Sequence, residues 1–498
     1  MKINFFRNGF ANNSSSTHSI IFTSDVGKDV DTEDYGWGNF LCSSKKTKAS
    51  YMLCMLKQQL EECTDQSLHC AISEFLSGEA LGKIFHDDDN ILVTGEEYND
   101  ILEYVKETLP YYEIDHQSVF FFPHDHSDVF YDEERRVKKS CINMDFFYDF
   151  CKHIIFNSFV IVGGNDNDDE GNPSFPSIDN TPESFNRLLM FMQSTELSCI
   201  KDNDNWVIYD KYKGSEFCFS FNEGSKVASF PTLVDLKITD MCNHGCPHCY
   251  QGSTPKGFHA DKRDLESIVY GLKRIGVGTV AIGGGNPLLY PGIYDLCKNI
   301  SSQMTCCITL NSVKRSEYDL LAKILGVADS VAVTCNRSYE IPHVLAPYIT
   351  MRSRAKIYVQ GILEFFNTKE ELDKYFSNIK LMCVNNVTLL GYKQVGRASK
   401  VAINPVSFDW IDSCKKSGLS IGIDACIAKM YKEDIDKAGV PSYLLCNEGD
   451  RSMYIDAVRN VANKDSYSDS STEYHLNTKN YYGNSLTDAF NSFNNIFS

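Results

Sequence analysis

No stretch of this chain approaches the roughly 18 consecutive apolar residues that a spanning helix needs, so a membrane is not an expected partner. The start, Met1-Lys-Ile-Asn-Phe-Phe-Arg7, lacks the apolar core and small-residue cleavage site of a secretory signal, and a cytoplasmic location is expected. Basic residues are the minority, 48 Lys and Arg against 66 Asp and Glu for a net charge of −18, which argues against a general nucleic-acid binder. The same excess suits a basic peptide partner or plain solubility. A zinc frame usually pairs two CxxC or CxxH knuckles, and no second knuckle follows the one at Cys246 and Cys249. The 19 cysteines are irregularly spaced and, in a reducing compartment, are mostly free thiols. Apolar residues are not lacking: at 43% hydrophobic and 498 residues, two or three domains with large cores are expected.

What the chain does have is Thr239-Asp-Met-Cys-Asn-His-Gly-Cys-Pro-His-Cys-Tyr250. Cys242, Cys246 and Cys249 fit one tight loop and can each hold a corner of a cubane 4Fe–4S cluster, which takes four cysteines when fully ligated. Three leave one iron open. The residues alone also allow a zinc loop with a distant fourth ligand, or three reduced core cysteines. A β-type run, Leu233-Val-Asp-Leu-Lys-Ile-Thr239, precedes the loop. A second, Thr279-Val-Ala-Ile-Gly-Gly-Gly-Asn-Pro-Leu288, ends in glycines that let a backbone approach a ligand closely.

On these residues the chain resembles the radical S-adenosylmethionine (radical SAM) enzymes across roughly residues 231 to 400. The CxxxCxxC loop is similar to that superfamily's cluster motif, and Gly284-Gly285-Asn286-Pro287 to its GGEP motif, with asparagine in place of glutamate. The resemblance implies a 4Fe–4S cluster, S-adenosylmethionine (SAM) chelated at the open iron, and a deoxyadenosyl radical that attacks a substrate. It implies that Tyr250 and Gly283 to Pro287 contact SAM, more weakly than usual because Asn286 carries no charge. It also implies a reductant such as flavodoxin or ferredoxin. Asn311, Thr334 and Asn336, at later strand ends, can reach the ribose or carboxylate, or are ordinary turn caps. Leu390 and Tyr392 lie in a segment similar to the family's adenine-flanking one, where Lys393 or Arg397 can meet a carboxylate, unless it is a basic surface loop.

From about 231 to 403, apolar runs at 233–239, 278–282, 305–310, 329–334, 356–363 and 386–390 alternate with amphipathic stretches, which predicts βαβ units and a parallel sheet. Six units fall short of a closed eight-fold barrel, so the expected fold class is α/β, a partial six-stranded (β/α)6 barrel. It is flanked by an N-terminal α+β accessory domain over 1–229 and a small extension over 404–498, with the barrel over 230–403. The extension is similar to SPASM or twitch extensions, which hold auxiliary clusters, and its end at 483–493 resembles their closing helix. Cys414, Cys426 and Cys446 fall short of a complete set, and small buried hydrophobes are the other reading. The expectation is a degenerate extension that keeps its shape and has lost its cluster.

In the N-terminal region, Phe10 to Ser19 reads as an exposed arm and 44–62 as a helix. His116, His124, Asp125, His126 and Asp128 read as a polar loop before a metal site, and Asp166 to Gly171 as an acidic loop, since Ser177 stands where a calcium loop needs glutamate. Trp206 to Ser220 reads as a hairpin turning at Gly214, able to dock an extended peptide, close as a lid or join domains. The leading expectation is radical modification of a peptide or protein. The alternatives are the same chemistry on a small molecule or nucleotide, and a non-catalytic iron–sulfur or zinc binding protein.

Overall fold

The computed structural model describes residues 2–7, 17–22, 31, 40–62, 83–87, 90–91, 93–109, 121–127, 130–131, 137–139, 142–165, 188, 191–192, 196–221, 228–351, 353–445, 448–468, 470–477 and 483–495. Two compact units emerge, 1–128 with 140–224, and 129–139 with 225–498.

In the first unit, strands Lys2–Arg7, Ser215–Ser220, Asn205–Asp210, Leu197–Asp202 and His124–Asp125 pair in that order. The expected hairpin is present, and Gly214 at its turn has φ +65°, the left-handed region that glycine adopts at no steric cost. The expected helix is Lys45–Glu62. Met144–Ile155 lays Phe146 and Phe147 into the core, edge-on to Trp206 and Phe122 at 5.3 and 4.9 Å. Two expectations are corrected. Thr17 to Ser19 are not an arm but part of strand Thr17–Phe22, antiparallel to Val160–Asn165. Their polar side chains do not stop the backbone from pairing. His124 and Asp125 are not a loop but a strand parallel to Leu197–Asp202, with His124 and His126 buried. Residues 10–16, His116, Asp128 and 166–171 lie outside the described residues.

The second unit is built on one sheet. Its strands are β1 (Leu233–Lys237), β2 (Thr279–Gly283), β3 (Thr305–Leu310), β4 (Ser330–Thr334), β5 (Lys356–Ile362), β6 (Asn386–Leu390), β7 (Ser420–Ile423), β8 (Ser452–Asp456), β9 (Val461–Asn463) and β10 (Tyr474–His475). Their order is β7-β6-β5-β4-β3-β2-β1-β8-β9-β10. All six expected strands form, but the parallel run is eight strands wide, from β7 to β8, and the expected six-stranded architecture is corrected to this wider sheet. β7 and β8 are short and flank the segments whose cysteines draw the eye. They become strands only because the sheet offers them an edge.

Alternation decides which face each side chain takes. Val234, Leu236, Val280, Ile282, Ile308, Val331, Val333, Val359, Val387 and Leu389 point to the helices and form the core. Among those helices, α1 (Lys262–Arg274) starts at Asp261, whose carboxylate accepts from the amides of Arg263 and Asp264 at 2.8 and 3.2 Å. The other face carries Asp235, Cys307, Thr309, Thr334, Gln360 and Thr388 and is largely open. The sheet curls around that face. Lys393, just past β6, lays its ammonium 5.2 Å from the centre of the Tyr250 ring, in the loop after β1. In a flat sheet those two strands, five ladders apart, would be separated by about 24 Å.

The tail is tied to β1 by buried charge. Lys237 meets Asp456 at 2.9 Å and Asp240 at 2.5 Å, and Arg459 meets Asp456 at 2.8 Å. Burial alone would raise the Asp456 carboxyl, but Lys237 and Arg459 hold it below the usual carboxylate range. Its contribution to stability is therefore present above the unfolded carboxylate value and is lost as pH falls through the lower folded one. Replacing Asp456 with asparagine removes the charge that answers a buried lysine, and should cost about 3 kcal/mol or more. A clear fall in thermal midpoint is expected at neutral pH, and an unchanged midpoint would show that Asp240 alone suffices.

Candidate functional site

The cysteine loop is shaped by main chain from elsewhere. Past the ends of β1 and β2, the amides of Gly285 and Asn286 donate to the carbonyls of Thr239 and Met241 at 2.7 and 2.8 Å. The loop closes on itself through Cys242 N–H to Thr254 O at 2.9 Å and Asp240 N–H to Phe258 O at 2.8 Å. Only glycine fits the seam. A Cβ at Gly285 would sit 2.3 Å from the Met241 carbonyl oxygen, and Gly284, at φ +127°, faces the Thr239 oxygen at 2.5 Å.

Asn286 is buried, and both ends of its amide are used. Nδ2–H donates to Asn243 Oδ1 at 3.1 Å and Oδ1 accepts from Leu288 N–H at 3.2 Å. The residue that departs from the family motif thus joins the glycine turn to the residue after Cys242. Pro287 opens the short turn Pro287–Leu289, and Gly283 ends β2 with open space beside it.

Cys242 is buried, while Cys246 and Cys249 are half-exposed. Burial pushes the Cys246 thiol up, its two neighbouring cysteines add to this, and Arg397 opposes it. Among the described residues, no three His, Cys, Asp or Glu side chains converge as the ligands of a single ion do. A cubane that takes one thiolate per corner asks for less convergence and suits this donor set better than one zinc ion.

Arg397 does not meet a carboxylate, as the sequence suggests it can. Its Nε donates to Cys246 O at 3.1 Å and its Nη1 to Ser253 O at 2.7 Å. Nη2 is buried with no partner among the described residues, a state that costs about 1–3 kcal/mol for an ordinary polar group. His248, between the second and third cysteines, lies 3.4 Å from Asn336 Nδ2 and edge-on to Phe365 at 5.0 Å. Burial lowers its pKa, and Arg337 lowers it further.

Below the loop, the open face carries Asp235. Asp235 is exposed within the open face, yet the protein around it on the curled sheet strips enough solvent to raise its carboxyl, with Lys393 pulling the other way and Asp424 adding to the rise. Lys393 lies between the rings of Tyr250 and Tyr467, at 5.2 and 4.9 Å. Asp424 accepts from the amides of Gly391 and Ile427 at 3.0 and 2.9 Å, while its Oδ2 is buried with no partner among the described residues. Beside the strand ends of β1 and β8, a cavity of about 300 Å³ is lined by Lys237, Tyr250, Asp456, Arg459, Tyr467 and Glu473.

The structure thus gathers Cys242, Cys246, Cys249, Tyr250, Gly284, Gly285, Asn286 and Asn336 around one loop. Thr334 Oγ1 accepts from Gln360 Nε2 at 2.9 Å, and the main-chain carbonyl of Asn311 accepts from Tyr348 at 2.5 Å. Leu390 ends β6 half-buried. Tyr392 is buried, and its hydroxyl donates to Ala398 O at 2.9 Å, closing the turn that carries Lys393 and Arg397. In the tail, Cys414 and Cys426 are half-buried, and the loss of solvent pushes each thiol up to about 12. Their charged neighbours differ, and Cys446 lies outside the described residues. Sequence reasoning passed over Asp235, Asn243 and His248. Asp235 does carry a signal, an acidic residue between the apolar Val234 and Leu236 of a short strand, whereas nothing in the sequence marks Asn243.

Residues 236–389 match the sequence profile of the Radical SAM superfamily. A GTP 3′,8-cyclase from Peptoclostridium acidaminophilum is 31% identical over 101 residues, covering 18% of this chain and 30% of the relative. An S-adenosylmethionine-dependent nucleotide dehydratase from Thermoplasmatales archaeon (strain ISO4-H5) is 23% identical over 101 residues, 20% of this chain and 36% of the relative. The chain thus spans about a third of the length of these curated relatives. Among solved structures, Streptococcus suis SuiB bound to precursor peptide SuiA aligns with TM-score 0.39 and 17% identity, over 48% of this chain and 60% of that one.

Replacing Gly285 with alanine must displace the Met241 carbonyl and with it the loop. On anaerobic reconstitution the variant should take up several-fold less iron than the parent while keeping its circular dichroism. Iron uptake at the parent's level would mean that this seam does not shape the loop.

Proposed function

We propose that this chain, whose residues 236–389 are a radical SAM domain, holds a 4Fe–4S cluster on Cys242, Cys246 and Cys249 and binds SAM beside it to modify a peptide or protein. The family's cofactors are that cluster and SAM. The observation that carries the reading is the three-thiol loop locked to the Gly284–Asn286 turn above an open polar sheet face. When bound, the two cofactors supply reductive SAM cleavage and removal of a hydrogen atom from the substrate. The chain's own part is to orient and exclude water. The backbone at Gly283 has open space for a ligand to approach, Gly284 and Gly285 hold the loop beside it, and Asn336 and His248 frame the loop's far side. Asn286, held by Asn243 and Leu288, acts through the loop and leaves the amine of SAM to main-chain oxygens.

A peptide or protein substrate is supported by the net charge of −18, by a tail similar to those of peptide-modifying members, and by the first unit's hairpin. We propose that residues 1–229 serve substrate binding beside a catalytic segment at 230–403 and a tail at 404–498 without a complete auxiliary cluster. A flavodoxin or ferredoxin is the proposed reductant. Nucleotide chemistry is the second reading, favoured by the two curated relatives, both of which act on nucleotides by name.

Cluster loading followed by dithionite and SAM tests the reading. The parent should yield 5′-deoxyadenosine with about four irons per chain. Cys242→Ala, Cys246→Ala and Cys249→Ala should each abolish it, and cleavage retained in any of them would sink the assignment. Product formation with added nucleotides but not with basic peptides would move the substrate to the second reading.

A further inference from the structure

Arg397 lies outside the motifs that mark the loop, yet it brackets the turn that carries two of the three cysteines. Its main-chain N–H donates to Cys249 O at 3.0 Å, its Nε to Cys246 O at 3.1 Å and its Nη1 to Ser253 O at 2.7 Å. The approach is tight. Gly396, at φ +60°, has the Tyr250 carbonyl oxygen 2.2 Å from where a Cβ would stand. Neutral donors would hold carbonyls too, but arginine brings a permanent unit charge on a planar fork. No carboxylate among the described residues forms an ion pair with it, so its partners are carbonyl dipoles and the charge remains largely unanswered at the loop. One further donor, Nη2, is buried and unused among those residues. A cation beside a redox group favours whichever form is more negative, and hydrogen bonds to such a group act in the same direction.

We propose that Arg397 is a positioning residue that fixes the cysteine loop and, through its charge and its unused Nη2–H, raises the reduction potential of the cluster held there. This rests on the three cysteines being the cluster's ligands. Adding one electron makes the cluster more negative by one unit, and the guanidinium stabilises that state without gaining or losing a proton.

The full chain, Arg397→Gln and Arg397→Lys are reconstituted anaerobically, their iron is counted, and the cluster is titrated with dithionite while its electron paramagnetic resonance signal is followed. Arg397→Gln should lower the midpoint potential by the equivalent of roughly tenfold in the reduction equilibrium, 59 mV for a one-electron couple. Arg397→Lys keeps the charge but has neither the planar fork nor the second terminal nitrogen, so it cannot reproduce the Nε and Nη1 contacts in their present geometry. It should keep most of the parent's midpoint, falling by much less than the glutamine variant, while losing iron and altering the signal's shape. A glutamine variant with the parent's midpoint would overturn the charge role, whatever its iron content. Where that variant loads too little iron to titrate, the lysine variant decides, and a fall as large as that expected for glutamine overturns the proposal. A parent chain that loads no cluster fails the cysteine assignment itself, and this shows before any variant is compared.

Discussion

The site depends on one constraint: a loop of about a dozen residues with almost no secondary structure of its own must present three thiols in fixed positions. Few of its amides and carbonyls satisfy one another within so short a turn, Cys249 N–H to Cys246 O at 3.3 Å being one pair, so most partners come from the segments around it. Gly285 and Asn286 supply donors on one side, the Thr254 and Phe258 carbonyls accept from Cys242 and Asp240 on another, and Arg397 binds three carbonyls on a third. The main-chain contacts among these require backbone to approach backbone, which is why glycine stands at Gly284, Gly285 and Gly396.

The same logic explains the width of the sheet. β1 carries the loop at its end, and β8 lies against its other edge, bringing Asp456 to Lys237. A lysine buried at the base of the loop would be costly alone. The tail provides its counter-charge, and Arg459 and Glu473 extend the network outward. Residues more than two hundred positions away thus fix the strand from which the loop departs.

The inner face shows how far side-chain alternation reaches. The large buried apolar side chains of β1 to β6 turn to the helices, so the opposite face is free to hold Asp235, Thr309, Gln360 and Thr388. Curling turns that face into the wall of a chamber and brings Lys393 across from β6 to the ring of Tyr250. That meeting gives the chamber a cation facing Asp235 and Asp424, with aromatic faces on either side.

By itself, the sequence determined the periodic and the local. The six strands from β1 to β6 were legible because alternation and helix amphipathicity are properties of neighbours in the chain. The Cys242–Cys249 spacing was legible because three thiols on one loop need no distant partner to be seen together, and the Gly214 hairpin because its turn is chemically explicit. Tertiary structure decided the rest. β7 and β8 needed a sheet edge, and Thr17–Phe22 and His124–Asp125 found partners that their polar side chains do not advertise. Arg397 could be read as a basic residue but not as the clasp of a loop some 150 positions earlier, nor could the bond from Asn286 to Asn243 be foreseen. Hydrogen bonds between segments distant in sequence leave no period and no motif. They exist only once the sheet has curled and brought the loops at its strand ends within 3 Å of one another.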